Sequence, residues 1–150
     1  MEAPVNSGYE DDPEPFVLDL SGEQLPPLVQ LRQWAAKALA DLDDDHLLAV
    51  LLVATELVTN AYDHASGPLR LLVRRSAVPC EVSVSVDDDS SERPAVGRSR
   101  LGDARGRGLL MVESVSKNWG VRPLPEGGKR VWALIACDSN GTIACLPRGR

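Results

Sequence analysis

No apolar run in the 150-residue sequence approaches the length that crosses a membrane. The N-terminus is acidic and proline-containing where a secretory signal needs a basic flank and an apolar stretch, so a cytoplasmic protein with no membrane partner is expected. Histidine is scarce: only His46 and His64 occur, without HExxH or paired-His spacing, so the signature of histidine-based metal catalysis is missing. The three cysteines, Cys80, Cys137 and Cys145, are odd in number and form no CxxC pair. Three reduced thiols are expected, not a disulfide framework or a zinc site. Basic charge is also short. A formal net charge of -6 argues against a protein that coats nucleic acid, and no direct nucleic-acid partner is expected.

What charge there is lies unevenly. Glu2, Glu10, Asp11, Asp12 and Glu14 make the start acidic, whereas Arg93, Arg98, Arg100, Arg105 and Arg107 crowd one later segment. The length suits a single domain. Residues 1–15 combine proline and acidic side chains with almost no large apolar residue and read as a disordered acidic tail. Residues 16–137 form the folded domain, and residues 138–150, weakly patterned, a C-terminal extension.

Residues 46–65, HLLAVLLVATELVTNAYDHA, dominate the pattern. Leu47, Val50, Leu51, Ala54, Leu57, Val58 and Ala61 recur at helical spacing, and Leu48 and Val53 widen the arc, so the helix is expected to be largely buried. Glu56, Asn60 and Asp63 follow at spacings of four and three and project to one side. A polar stripe is usually a wet helix face. This one has no Lys or Arg beside it, and a carboxylate with a carboxamide in apolar surroundings equally suits a hard cation or an activated water.

Around this helix the periodicity predicts a strand at Phe16, Leu18 and Leu20, then a one-sided helix opened by Pro26 and Pro27 and carried by Leu28, Leu31, Ala35, Ala38, Leu39 and Leu42. Downstream, Leu69, Leu71 and Val73 and then Val82, Val84 and Val86 alternate as two antiparallel strands. Residues 89–105 hold almost no large apolar side chain and read as a functional or disordered loop. Gly106 and Gly108 precede a third helix marked by Leu109, Leu110, Val112 and Val115. A strand from Trp119 and, after Gly127 and Gly128, a last strand through Val131, Ala133 and Ile135 complete the order β α α β β, loop, α β β.

Gly106-Arg107-Gly108 at a helix start suits a phosphate, because small residues let backbone amides approach an anion at the positive end of the helix dipole. Two glycines there are more often an ordinary junction, and neither GxxxxGK[ST] nor a complete GxGxxG is present. Arg105 and Arg107 fit phosphate oxygens or plain solvation. Asp88 ends a Val-rich strand, from which a carboxylate can reach a cleft, although the acidic triplet it belongs to also fits a solvated turn.

In this order, ELVTNAYDHA, SVDDDS and GRGLLMV resemble the N, G1 and G2 boxes of the GHKL ATPase superfamily, which shares the Bergerat fold. The wording TELVTNA, Asp88-Asp89-Ser90, GRGLLMVESVSKNWGV and GKRVWALI resembles, more narrowly, the actinobacterial anti-sigma-factor serine/threonine kinase type. The resemblance implies an α/β two-layer sandwich with a mixed, mostly antiparallel sheet covered on one face by helices, and it implies ATP and Mg²⁺ as cofactors. It casts Glu56 as general base and Asn60 as the Mg²⁺ ligand. Asp88 would accept from the adenine amino group, Gly106 and Gly108 would lie beside the phosphates, and residues 89–105 would be the ATP lid. Asp63, Ser90, Arg105, Arg107 and Leu109 fall in the same boxes as further nucleotide contacts. The usual DxGxG of the G1 box is here Asp88-Asp89-Ser90-Ser91-Glu92, without glycine.

The function so implied is an anti-sigma regulatory protein that sequesters a sigma factor and uses MgATP to phosphorylate a Ser or Thr of an anti-sigma antagonist, with a homodimer as its expected assembly. The competing expectation is a sequestering module without phosphoryl transfer. Retention of Glu56 and Asn60 favours the kinase, and the glycine-free G1 segment favours the binder. A stand-alone ATPase of the chaperone or topoisomerase kind is the weakest of the three.

Overall fold

The computed structural model describes residues 14–64, 68–77, 79–90 and 104–137. Their order is β1 (Phe16–Asp19), α1 (Leu28–Ala38), α2 (Asp44–His64), β2 (Pro68–Ser76), β3 (Glu81–Asp88), α3 (Ala104–Val115), β4 (Asn118–Pro123) and β5 (Lys129–Ala136), which is the order read from the sequence. Residues 1–13 of the expected tail and the expected C-terminal extension lie outside the described residues.

One five-stranded sheet runs β1-β2-β3-β5-β4, and each neighbouring pair is antiparallel. The expected mixed component has no counterpart among the described residues. β2–β3 and β4–β5 are joined by short turns that force antiparallel pairing, and α3 with β4 returns the chain so that β5 runs opposite to β3. Strand alternation sends Leu71, Val73, Val82, Val84, Val86, Val131, Ala133 and Ile135 to one buried face. α2 lies on that face against β2, β3 and β5, with α1 and α3 packed beside it.

Apolar spacing makes α2 a helix, and Asp44 and Asp45 in its first turn complement the dipole. Its buried arc is His46, Val50, Val53, Ala54, Leu57, Val58, Asn60 and Ala61. The expected arc is too wide on one side, because Leu48 and Leu52, four residues apart, share an outer side and are 57% and 41% exposed. β1 differs likewise. Leu20 is fully buried beyond its end, whereas Phe16 is 42% exposed at the start of an edge strand that α1 only partly covers.

α3 begins at Ala104, earlier than expected, so Gly106 and Gly108 lie in its first turns instead of preceding it. A glycine costs a helix only about 1 kcal/mol relative to alanine, and packing of α3 along α2 offsets that. Among the described side chains of α3, Val112 is fully buried, while Leu110 is 46% exposed.

Candidate nucleotide site

α2 brings two of the predicted residues to the sheet. Asn60 is buried and shares a small cavity with Leu57, Ala61, Val86, Asp88, Lys129 and Val131. Asn60 and Asp88, both singled out in the sequence, therefore line one cavity. Glu56, one turn earlier, is half-buried outside that lining, and Asp63 is exposed. Burial raises the Glu56 carboxyl above its ordinary range, and the negative charge of Asp63 adds to the effect. That is the direction expected of a proton acceptor being moved toward neutral pH.

Asp88 reaches the cavity because residues 82, 84, 86 and 88 of β3 share the helix-covered face. Its Oδ1 accepts from Lys129 Nζ at 3.0 Å and from the Ser90 amide at 2.9 Å. Both partners of the ion pair are enclosed, with side chains 6% and 1% exposed. Burial nevertheless pushes the Asp88 carboxyl above its ordinary range, against the pull of Lys129 and the Ser90 amide. Both of these contacts engage Oδ1.

Lys129 is the residue that sequence reasoning missed. It continues the inward alternation of Val131, Ala133 and Ile135, so a signal was present, but a lysine after two glycines reads as a solvated turn. The turn itself explains the approach. Gly128 has φ +87°, and a Cβ there would overlap the Asp88 carbonyl oxygen, so only glycine lets the β4–β5 turn close onto the end of β3.

Asn60 Oδ1 is buried with no hydrogen-bond partner among the described residues. An unsatisfied buried carbonyl oxygen costs about 1–3 kcal/mol, which makes it a position held for something else. A hard cation with an oxygen shell fits this atom, and Mg²⁺, the ion the sequence resemblance implies, is of that kind. The first turn of α3 carries Arg105, Gly106 and Arg107, whose amides are among the four that a helix N-terminus leaves without an intrahelical acceptor, and Gly108 and Leu109 follow in the second turn. The side chains of those residues, and residues 91–103 of the expected lid, lie outside the described residues.

The neighbour Asp87 points the other way. On the open face of the sheet it is fully buried under Arg70 and Arg130. Arg130 donates through Nε at 2.6 Å and Nη2 at 2.9 Å, and Arg70 through Nε at 3.0 Å. A hollow of about 130 Å³ on this face, bordered by Arg74, Arg122, Arg130 and Trp132, contains none of the predicted residues.

Among the described residues no helix is long and apolar enough to cross a membrane. No curated protein matches the sequence. Among solved structures, the chain is similar to the histidine kinase domain of the blue-light-activated histidine kinase EL346 from Erythrobacter litoralis, with 19% identity and a TM-score of 0.46. That similarity covers 81% of this chain and 64% of the other, so this chain spans less than two thirds of that structure. Residues 23–134, the stretch that holds α1 through most of β5, match the family described as the histidine kinase-like ATPase domain. The chain belongs to the histidine kinase-like ATPase family, within the GHKL superfamily.

Proposed function

We propose that this domain is an ATP-binding regulatory switch that sequesters a sigma factor and transfers the γ-phosphoryl group of ATP to a Ser or Thr hydroxyl of an anti-sigma antagonist. The observation that carries the nucleotide part is the orphaned Asn60 Oδ1 beside Asp88 in one enclosed cavity. The partner assignment rests on the narrower wording TELVTNA, GRGLLMVESVSKNWGV and GKRVWALI. Asn60 would hold Mg²⁺, which supplies charge neutralisation at the phosphates when bound. Glu56, with its raised pKa, accepts the proton of the attacking hydroxyl. Asp88 offers an acceptor to a base amino group, and the α3 N-terminus offers backbone amides to phosphate oxygens.

The test is equilibrium binding of labelled MgATP to the full chain, followed by transfer assays with candidate antagonists. Asn60→Ala is expected to weaken MgATP binding by on the order of thirtyfold, about 2 kcal/mol. Glu56→Ala is expected to keep binding and lose transfer. Absence of nucleotide binding in the wild type sinks the reading.

One observation favours the second reading, a sequestering module without phosphoryl transfer. The enclosed cavity measures only about 10 Å³, room for roughly one water, and Lys129 already occupies Asp88. A nucleotide therefore enters only as these walls part. Binding of MgATP without transfer to any antagonist would select this reading.

A further inference from the structure

At the opposite end of α2 the fold gathers three soft ligand-type side chains that the chain scatters widely. His46 lies in the first turn of α2, Cys80 in the turn before β3, and Cys137 just after β5. One ligand atom from each falls within 4.8 Å of the others. His46 is 2% and Cys80 8% exposed, and Cys137 is half-buried. Both thiols are outside any disulfide.

The imidazole is already oriented. His46 Nε2 lies 3.0 Å from the carbonyl oxygen of Ile135, and a carbonyl can only accept, so Nε2 carries the proton. In the neutral ring Nδ1 then presents its lone pair, and it faces Cys80 Sγ at 3.9 Å. A backbone carbonyl fixing the distal ring nitrogen is the arrangement that accompanies metal-ligating histidines. The strands hold the two thiols with equal definition. Glu81 pairs with Ala136, and one step further the Cys137 amide donates to the Cys80 carbonyl at 3.0 Å.

We propose that His46 Nδ1, Cys80 Sγ and Cys137 Sγ form a structural Zn²⁺ site. A tetrahedral zinc with bond lengths of about 2.0–2.3 Å places its N and S ligands roughly 3.5–3.8 Å apart, so ligand atoms that lie within 4.8 Å of one another need to close by about 1 Å at most. Charge selects the ion. Two thiolates and a neutral imidazole around a divalent cation sum to zero, whereas a monovalent thiophilic ion would leave a net negative charge in a mostly buried setting. On binding, two Zn–S bonds and one Zn–N bond form, the two thiol protons leave to solvent, and no electron is transferred. With three protein ligands, the fourth position of a tetrahedral ion falls to an external ligand such as water.

The site stands apart from the nucleotide cavity. Fourteen residues of helix separate His46 from Asn60, about 21 Å at 1.5 Å per residue. Its role is to fasten the start of α2 to the ends of β3 and β5, the two strands that deliver Asp88 and Lys129 at their other ends.

The experiment uses the full chain, reduced and stripped of metal, with Co²⁺ as a spectroscopic substitute for Zn²⁺. Equimolar Co²⁺ is expected to give the visible bands of a tetrahedral ion and near-ultraviolet thiolate-to-metal charge transfer, both bleached by equimolar Zn²⁺. Cys80→Ser and Cys137→Ser are each expected to weaken Zn²⁺ binding by on the order of a hundredfold. Zn²⁺ is also expected to raise the melting temperature of the wild type, since it binds the folded chain alone. Absence of the charge-transfer band at equimolar Co²⁺ overturns the proposal in a single wild-type measurement, whatever the variants do. Unchanged Zn²⁺ affinity in folded Cys80→Ser overturns it too, as does a Cys80–Cys137 disulfide that forms under mild oxidation as fast with Zn²⁺ as without it.

Discussion

Asp87 and Asp88 are consecutive, both almost wholly enclosed, and both paired with cations, yet they have different occupations. Asp87 receives three charge-assisted hydrogen bonds from two arginines, which engage both of its oxygens. Asp88 receives one lysine and one backbone amide, both on Oδ1, and burial still raises its pKa. A saturated carboxylate holds a sheet together, while an under-supplied one beside an orphaned asparagine oxygen leaves acceptor capacity for the ligand we propose. The strand's alternation assigns these tasks to opposite faces.

The strongest way to break this contrast is Asp87→Ala. We expect a loss of about 2–3 kcal/mol in urea unfolding, below the figure for a fully enclosed pair because Arg70 and Arg130 keep contact with water, at 40% and 28% side-chain exposure. MgATP affinity of the folded variant should be unchanged. A parallel fall in affinity would show that the two faces are not separate.

Lys129→Met should cost about 2 kcal/mol at neutral pH by leaving Asp88 ionised and unpaired in the cavity. Removing the ammonium also removes two influences that lower the Asp88 pKa, so that pKa moves further up. A carboxyl with a folded-state pKa above its unfolded value binds protons on folding. Its unfavourable effect is therefore absent at low pH and grows as pH rises from the ordinary value of 3.8 through the folded pKa. The stability gap between variant and wild type should accordingly narrow on acidification, and a gap constant with pH would refute the assignment.

Asn60→Ala should sharpen the contrast by gaining stability, by up to about 1 kcal/mol in the same unfolding assay, as the orphaned oxygen disappears. A stable, binding-deficient variant is the outcome expected of a residue kept for a ligand. The smallest effect belongs to Asp63→Asn. Loss of its charge should let the Glu56 pKa fall, moving the rising limb of a pH–rate profile for transfer toward lower pH without changing its plateau. A fixed limb would remove Glu56 as the titrating group.

The elements were legible because their signals are local. Helical spacing in α2 and the alternations of Val82 to Val86 and Val131 to Ile135 each occupy one short window. Asn60 and Asp88 stood out as polar residues in such windows. The start of α3 did not, because two glycines suggest a break whose small energetic cost tertiary packing overrides. Lys129 and the His46, Cys80 and Cys137 cluster depend on strand register, which pairs residues dozens of positions apart. Lys129 continues the inward parity of Val131, and Cys80 and Cys137 continue those of Val82 and Ile135. That parity becomes informative only once β3 is known to lie beside β5.

The bond from His46 to Ile135 pins α2 near one end, in addition to the apolar packing along its length. With an arm of about 21 Å, a tilt of about three degrees about that fulcrum carries Asn60 through roughly 1 Å. So small a swing is enough to decide whether a ligand oxygen lies within or beyond coordinating distance. Side chains that settle the angle there would thereby bear on the proposed ligand position without touching it.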